Sequence, residues 1–214
     1  MNEEFWNASW DAIDRTRVEA YLNREEEADP LLEELQKQNT KTVCDAGCGC
    51  GAFALRLIRQ EFTVSGFDFS GRAVEIAEEL LQKAGECAAL KTASVLATGY
   101  EDDTFDAVVS RDVLDHMAKA EAYLAVQELF RIVKPGGVVL FTLDALDEEY
   151  QNEAHVVTEA GDYVFTAGKW EGMVFHPYSK EEAAEIAAGR GEMQVRELAD
   201  GLLVCLKKPE SKTK

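Results

Sequence analysis

The fold is decided by the stretch Val43-Cys44-Asp45-Ala46-Gly47-Cys48-Gly49-Cys50-Gly51. A short apolar strand runs here into a turn with glycines at alternate positions, and an amphipathic helix follows from Ala52. Glycine adopts backbone angles that are closed to other residues and lets a ligand approach the main chain. The free N–H groups at the start of the next helix face the turn. The sequence therefore predicts a cofactor site in this turn.

Carboxylates flank the turn on both sides. Asp68 ends a second apolar strand, residues 62–68, and follows Gly51 by 17 residues, the spacing at which an acidic residue meets a ribose diol. Asp45 lies two residues before the first glycine, where it would repel a pyrophosphate and attract a positive charge. The turn also reads G-x-G-x-G, whereas dinucleotide-binding turns read G-x-G-x-x-G. These features favour a nucleoside with a cationic tail. An NAD-dependent oxidoreductase is the alternative, because such enzymes share the glycines and Asp68.

Four segments together carry a resemblance to a known family. Residues 43–51, 66–70, 105–110 and 129–137 resemble, in order and spacing, the motifs of the class I, Rossmann-like S-adenosylmethionine (SAM) dependent methyltransferases. The resemblance covers roughly residues 40 to 145, about half of the chain. It implies SAM as the cofactor and transfer of its methyl group to a small-molecule O, N, S or C nucleophile by in-line displacement. A SAM-binding protein without transfer activity is the alternative outside the enzymes.

The alternation of apolar strands and amphipathic helices predicts an α/β fold. The resemblance implies a Rossmann-like, doubly wound seven-stranded sheet, mostly parallel with the last strand antiparallel, and with helices on both faces. We expect an N-terminal helical cap at 1–38, a SAM-binding methyltransferase domain at 39–208 and a disordered tail at 209–214. Helix is predicted over 11–38 with a break at Asp29-Pro30, and the third and fifth strands near 89–95 and 137–143. A β-hairpin insertion is expected at about 155–177, with its turn at 167–169.

The resemblance assigns cofactor contacts along the carboxyl edge of the sheet. The residues expected to bind the cofactor are Asp45, Gly47, Cys48, Gly49, Gly51, Asp68, Phe69, Ser94, Val95 and Arg111. Ser94 stands where the family commonly has an acidic residue against the adenine. Phe69 is expected either to stack on adenine or to pack in the core. Arg111 has a second interpretation, as an ion pair with Asp112 or Asp115.

The acceptor side is less marked. Residues expected near the acceptor are Asp112, His116, Trp170 and His176. His116 is the one candidate for a general base, with packing against the fold as its alternative; otherwise the catalytic residues are unknown. The insertion is interpreted as a wall or lid of the acceptor site, or as an edge hairpin without ligand contact. In the N-terminal region Trp6, Trp10, Arg17 and Tyr21 either contact the cofactor or form core.

Composition limits the partners. The chain has 22 basic and 41 acidic residues and a formal charge of −19, which repels nucleic acid and anionic membranes. We therefore expect a small-molecule acceptor, with no nucleic acid and no membrane partner. Five cysteines without an export signal argue against disulfides, and Cys48-Gly49-Cys50 lacks the second pair that zinc sites usually have, so no metal is expected. The acidic N-terminus predicts a cytoplasmic location. The sequence indicates no oligomeric state.

Overall fold

The computed structural model describes residues 3–24 and 28–211. Its main element is a seven-stranded sheet in the order β3-β2-β1-β4-β5-β10-β9, with a separate three-stranded sheet β6-β7-β8. The strands are β1 Thr42–Ala46, β2 Thr63–Asp68, β3 Ala89–Thr92, β4 Phe105–Ser110, β5 Val133–Asp144, β6 His155–Val157, β7 Tyr163–Phe165, β8 Val174–Phe175, β9 Glu192–Glu197 and β10 Gly201–Lys207. In the large sheet only β10 runs antiparallel to its neighbours, β5 and β9. The predicted Rossmann-like sheet is confirmed.

Helices cover both faces of this sheet. They are α1 Glu3–Asp11, α2 Arg15–Glu19, α3 Pro30–Gln36, α4 Ala52–Arg59, α5 Gly71–Ala84, α6 Lys119–Ile132, α7 Glu148–Asn152 and α8 Lys180–Ala187, with 3-10 turns at Ala20–Leu22 and Gly168–Trp170. Local signals set several ends. The Ser70 side chain caps α5, which ends at left-handed Gly85, and Ser179 opens α8 with the expected capping box. None of the helices in the described ranges is long and apolar enough to cross a membrane.

Two cores lie on the opposite faces of the sheet, because alternate strand residues point to opposite sides. Cys44 and Ala46 of β1 pack with α6 and α8, whereas Val43 packs with α3 and α4. Three leucines of α3, Leu31, Leu32 and Leu35, are buried in the second core. Helix α3 is therefore part of the sheet's domain, and the predicted boundary of the cap at residue 38 is too late in the chain.

The N-terminal region differs from the predicted helix over 11–38, which was expected to break at Asp29-Pro30. Helix α1 ends at Asp11, where the predicted helix would begin, and residues 12–14 are not helical before α2 begins at Arg15. The side chain of Asp14 accepts hydrogen bonds from the backbone N–H and the hydroxyl of Thr16. A helix starts at such a capping residue instead of continuing through it. Residues 25–27 of the predicted helix lie outside the described residues.

Three further boundaries are corrected. The third strand ends at Thr92, because residues 94–97 form an isolated bridge. The fifth strand begins at Val133, four residues early, because the glycine-containing entry to it is already extended. The insertion is a three-stranded antiparallel sheet, and its β7–β8 connection passes through the 3-10 turn instead of a tight turn at 167–169. Of the predicted tail, 212–214 lie outside the described residues.

Candidate cofactor site

Backbone hydrogen bonds tie the glycine turn to the end of β2. The N–H groups of Gly47 and Cys48 donate to the carbonyl of Phe67 at 2.8 and 2.9 Å. The Asp68 carboxylate accepts from Gly49 N at 3.0 Å and, through its other oxygen, from Ser70 N at 2.9 Å. Burial raises the pKa of Asp68, and these two bonds oppose the rise. Each carboxylate oxygen keeps a lone pair, so Asp68 can still accept bonds from a diol.

A cavity of about 300 Å³ lies over this turn, at the small end of the range for small-molecule sites. Its wall is formed by the turn, the end of β2, the loop after β4 and helix α1. Among the residues that line it are Trp6, Trp10, Asp45, Gly47, Cys48, Gly49, Phe53, Asp68, Phe69, Val95, Arg111, Asp112, Val113, His116 and Met117. A Cβ atom on Gly49 would lie 2.9 Å from the Trp10 ring, so the indole packs directly against the turn.

One wall of the cavity carries a buried carboxylate and a partly exposed guanidinium. Asp45 is 2% exposed, and burial raises its pKa to about 7 although Arg111 opposes the rise. Arg111 lies with its guanidinium carbon 4.3 Å from the centroid of the Phe53 ring and pairs with Asp29. The ion pair of Arg111 is thus with Asp29, and not with Asp112 or Asp115 as the second interpretation of the sequence had it. Asp45 Oδ2 and Arg111 Nε are both buried without a hydrogen-bond partner among the described residues.

The loop after β4 continues from Arg111 to Asp112 and His116 and lines one end of the cavity. Asp112 has a φ of +54°, an uncommon conformation for a residue other than glycine. The hydroxyl of Thr142 holds it there by donating to Asp112 Oδ1 at 2.6 Å and accepting from Asp112 N at 3.0 Å. Sequence patterns contain no signal for this role of Thr142, because threonine is common inside strands.

His116 packs between aromatic rings at this end. Its ring centroid lies 4.9 Å from that of Trp6 and 5.5 Å from that of Phe175. Burial lowers the pKa of His116 to about 4, so the imidazole is neutral at pH 7. A neutral imidazole can accept a proton, but an imidazole with this pKa is a weak base. The predicted packing role and the predicted base role are therefore both compatible with this position.

Four residues predicted at the site do not line the cavity. A Cβ atom on Gly51 would lie 2.8 Å from Ala77 Cβ in α5, so this glycine permits helix packing. Ser94 Oγ accepts from Leu96 N at 3.2 Å. Trp170 packs on Tyr150 and Phe5, within the aromatic core of the small sheet.

His176, the fourth of these residues, is 1% exposed, and its Nδ1 lies 2.9 Å from Asp162 Oδ1. The insertion packs the side chains of Trp170 and His176 against its own residues, and neither lines the cavity, so a position near the acceptor stays a prediction for both. The backbone of His176 nevertheless donates to Asp115 O at 2.8 Å. The insertion therefore supports the loop that carries Asp112 and His116 without lining the cavity itself.

The cysteines of the turn are packed as thiols. Cys48 is 7% exposed, and burial raises the pKa of both Cys48 and Cys50. A raised pKa disfavours the thiolate that metal binding and nucleophilic attack require. Among the described residues there is no group of His, Cys, Asp and Glu suited to hold a metal ion.

Comparison with known proteins supports a methyltransferase class for this fold. A family model described as a methyltransferase domain matches residues 43–137, from β1 into β5. Over these residues the chain is similar to SAM-dependent methyltransferases, in agreement with the class I, Rossmann-like family that its sequence motifs resemble.

Individual relatives agree on the class and differ in the acceptor. The tRNA (carboxymethyluridine(34)-5-O)-methyltransferase of Mus musculus is 35% identical over 112 residues, 52% of this chain and 16% of that protein. The ubiquinone biosynthesis O-methyltransferase of Methylocella silvestris is 32% identical over 97 residues, 45% of this chain and 37% of that protein. A solved structure of a protein from Pyrococcus horikoshii OT3 has a TM-score of 0.71 at 22% identity, covering 85% of this chain and 87% of that one, and shows the fold alone.

These matches bear on two earlier expectations. The chain spans less than half the length of either curated relative. Both are named methyltransferases, so they lend no support to the NAD-dependent alternative. One name contains tRNA, so the predicted exclusion of nucleic acid finds no support here.

Proposed function

We propose that this chain transfers a methyl group from SAM to a small-molecule O, N, S or C nucleophile. The observation that carries the proposal is the pair Asp45 and Asp68. These two buried carboxylates lie on either side of the glycine turn in the sequence, and both line the same cavity. Asp68 supplies acceptors for a ribose diol. Asp45 supplies an unused acceptor for a cationic group. A nucleoside with a charged amino acid tail fits both.

The remaining lining residues divide between the two ends of such a ligand. Phe69 and Val95 would contact the adenine, while Gly47, Cys48 and Gly49 would lie against the nucleoside with their backbones. Ser94 is left out, because its hydroxyl caps the turn at residue 96. Arg111 would face the carboxylate of the tail, since a guanidinium matches that group in charge and geometry.

The chemistry requires little of the protein beyond positioning. SAM, when bound, supplies a sulfonium that makes the methyl group transferable without a covalent enzyme intermediate. The chain's own part is to hold an acceptor in line with that group and to exclude water. Trp6 and Trp10 of α1 line the cavity. We expect the acceptor to bind beside His116 and Asp112, whose side chain accepts a hydrogen bond from Thr142. A neutral His116 would take a proton from an acceptor that loses one.

A small molecule is the acceptor that we favour over nucleic acid. The chain carries a formal charge of −19, which opposes a polyphosphate. The cavity measures about 300 Å³, a size that suits a compact acceptor. The curated relative named for tRNA makes a tRNA substrate a necessary arm of the assay.

Two measurements test the proposal. Calorimetric titrations with SAM, S-adenosylhomocysteine and NAD should show binding of the first two and none of the third. Radiolabelled methyl transfer should then be screened against amines, phenols, thiols, carboxylates and tRNA. Binding of NAD without SAM would overturn the assignment of the cofactor. Transfer to tRNA alone would overturn the small-molecule acceptor, and binding without transfer to any acceptor would favour the non-catalytic alternative.

A further inference from the structure

We propose that Asp29 is a positioning residue, which sets Arg111 for the carboxylate of the cofactor's amino acid tail. The inference rests on the proposed function, because it concerns the same cavity. Asp29 itself does not line that cavity, and it lies 82 residues from Arg111 in the chain. Its carboxylate is nevertheless in contact with the Arg111 guanidinium.

Asp29 is held in place by the hydrophobic core. Its Oδ1 accepts hydrogen bonds from Leu31 N at 3.0 Å and Leu32 N at 3.3 Å, which caps α3. Pro30 occupies the first position of that helix, where its fixed φ favours a helical start. The residue is 4% exposed, and the leucines of α3 that follow it are buried. The carboxylate of Asp29 is thus held in a defined position relative to α3 and the large sheet.

The contact with Asp29 gives the Arg111 side chain a defined conformation. An arginine side chain that is otherwise unrestrained loses rotamer entropy when a ligand orders it. Here the side chain is ordered in advance by Asp29 at Nη2 and by the Phe53 ring below the guanidinium plane. The same oxygen of Asp29 also accepts from Arg56 Nη1 at 2.7 Å. One carboxylate oxygen therefore orders two guanidinium groups.

Donor capacity remains on Arg111 for a ligand. Guanidinium has five N–H donors, and the described hydrogen bond to Asp29 uses Nη2. The Nε group is buried and has no hydrogen-bond partner among the described residues. On the same wall, the charge of Arg111 opposes the rise in the pKa of Asp45, and Asp45 Oδ2 has no hydrogen-bond partner among the described residues. The wall thus offers a donor for a carboxylate and an acceptor for an ammonium, which are the two charged groups of an amino acid tail.

Two ligands that differ only in this tail provide the test. S-adenosylhomocysteine carries the amino acid, and 5′-methylthioadenosine lacks it. Asp29→Asn should weaken binding of S-adenosylhomocysteine about tenfold, a typical effect of a charge pair, and should leave methylthioadenosine within about twofold. Asparagine caps helices as well as aspartate does, so α3 should persist. Arg111→Gln should show the same selectivity, and Asp29→Asn should add little to it.

Control variants separate positioning from general damage. Arg56→Gln removes the second arginine that pairs with Asp29, and Arg56 does not line the cavity. Both ligands should therefore bind to this variant with an affinity within about twofold of that of the unaltered protein. Asp147→Asn changes an exposed helix cap, that of α7, and should have no effect. Equal weakening of both ligands by Asp29→Asn, or no weakening of either, would overturn the inference. Failure of the unaltered protein to bind S-adenosylhomocysteine would instead overturn the proposed function.

Discussion

The substitution Gly51→Ala should destabilise the protein through helix packing, without touching the cofactor cavity. Gly51 has a φ of +79°, and a Cβ atom there would lie 2.8 Å from Ala77 Cβ and 3.0 Å from Ala77 Cα. The backbone angle alone costs about 1–2 kcal/mol for a residue with a Cβ atom. Overpacking against a helix backbone adds about 1–3 kcal/mol. The free energy of unfolding should therefore fall by about 2–5 kcal/mol.

Gly85→Ala is the matched control. Gly85 has a φ of +73°, and a Cβ atom there would meet nothing within 4 Å. This variant should lose only the backbone part, about 1–2 kcal/mol. The gain from a stiffer unfolded chain is common to both variants and cancels in the comparison. Urea unfolding at one temperature measures both values, and Gly51→Ala should be the less stable by about 1–3 kcal/mol.

A second substitution locates the clash. Ala77→Gly removes the Cβ atom that Gly51→Ala would meet, so the double variant should recover part of the difference from Gly85→Ala. Calorimetric titration of the folded Gly51→Ala protein with S-adenosylhomocysteine should give an affinity within about twofold of the unaltered protein. Equal destabilisation by Gly51→Ala and Gly85→Ala would refute the packing argument. A large loss of affinity in a stable Gly51→Ala protein would return Gly51 to the cofactor site.

Three other predictions follow from buried groups. Burial raises the pKa of Asp45 to about 7, so the contribution of this group to the free energy of unfolding is lost as the pH rises through 7. Binding should depend on pH in the opposite sense, because the ammonium group of S-adenosylhomocysteine needs the ionised carboxylate. This ligand should bind about tenfold more weakly at pH 6 than at pH 8. Asp162→Ala should lower the free energy of unfolding by about 2–4 kcal/mol in urea titrations, because its buried carboxylate accepts from Lys119 N and contacts His176. Tryptophan fluorescence should change when S-adenosylhomocysteine binds, through Trp10.

Each of these has its own control. Asp45→Asn should remove most of the pH dependence of binding, and a dependence that persists would point to Asp115 or Asp144, whose pKa values burial also raises to about 7. Asp147→Ala at an exposed cap should cost only about 1 kcal/mol, and a similar value for Asp162→Ala would contradict the role of its buried bonds. The fluorescence change should survive Trp170→Phe, and its loss in that variant would mean that the small sheet senses the ligand.

Local patterns were enough to predict the centre of the sheet and its ligand edge. The apolar run before Gly47 and the alternation of strands with helices carry their own signal, because each burial pattern repeats over a few residues. Asp68 could be placed by its distance from the glycines, since two neighbouring parallel strands end at the same edge. The central strands and the glycine turn therefore follow from the sequence alone.

Contacts between distant segments could not be predicted in the same way. Asp29 and Arg111 are separated by 82 residues, and the sequence around either residue contains no signal that predicts contact with the other. Trp170 and His176 have the residue types of a binding wall, but Trp170 packs against the aromatic core of the small sheet and His176 is buried beside Asp162. The predicted helix over 11–38 was wrong at its start, because a capping bond at Asp14 sets where α2 begins. In each case tertiary packing or a side-chain bond overrode the periodicity.

The two carboxylates of the turn show how the structure distinguishes a supporting residue from one that is ready for a ligand. Asp68 accepts a backbone N–H on each oxygen, so the chain itself satisfies it in part. Asp45 is as deeply buried, yet its Oδ2 has no partner among the described residues. An unsatisfied buried acceptor costs about 1–3 kcal/mol, and a bound cation would remove that cost. We therefore expect Asp45 to gain more from a cationic ligand than Asp68 does.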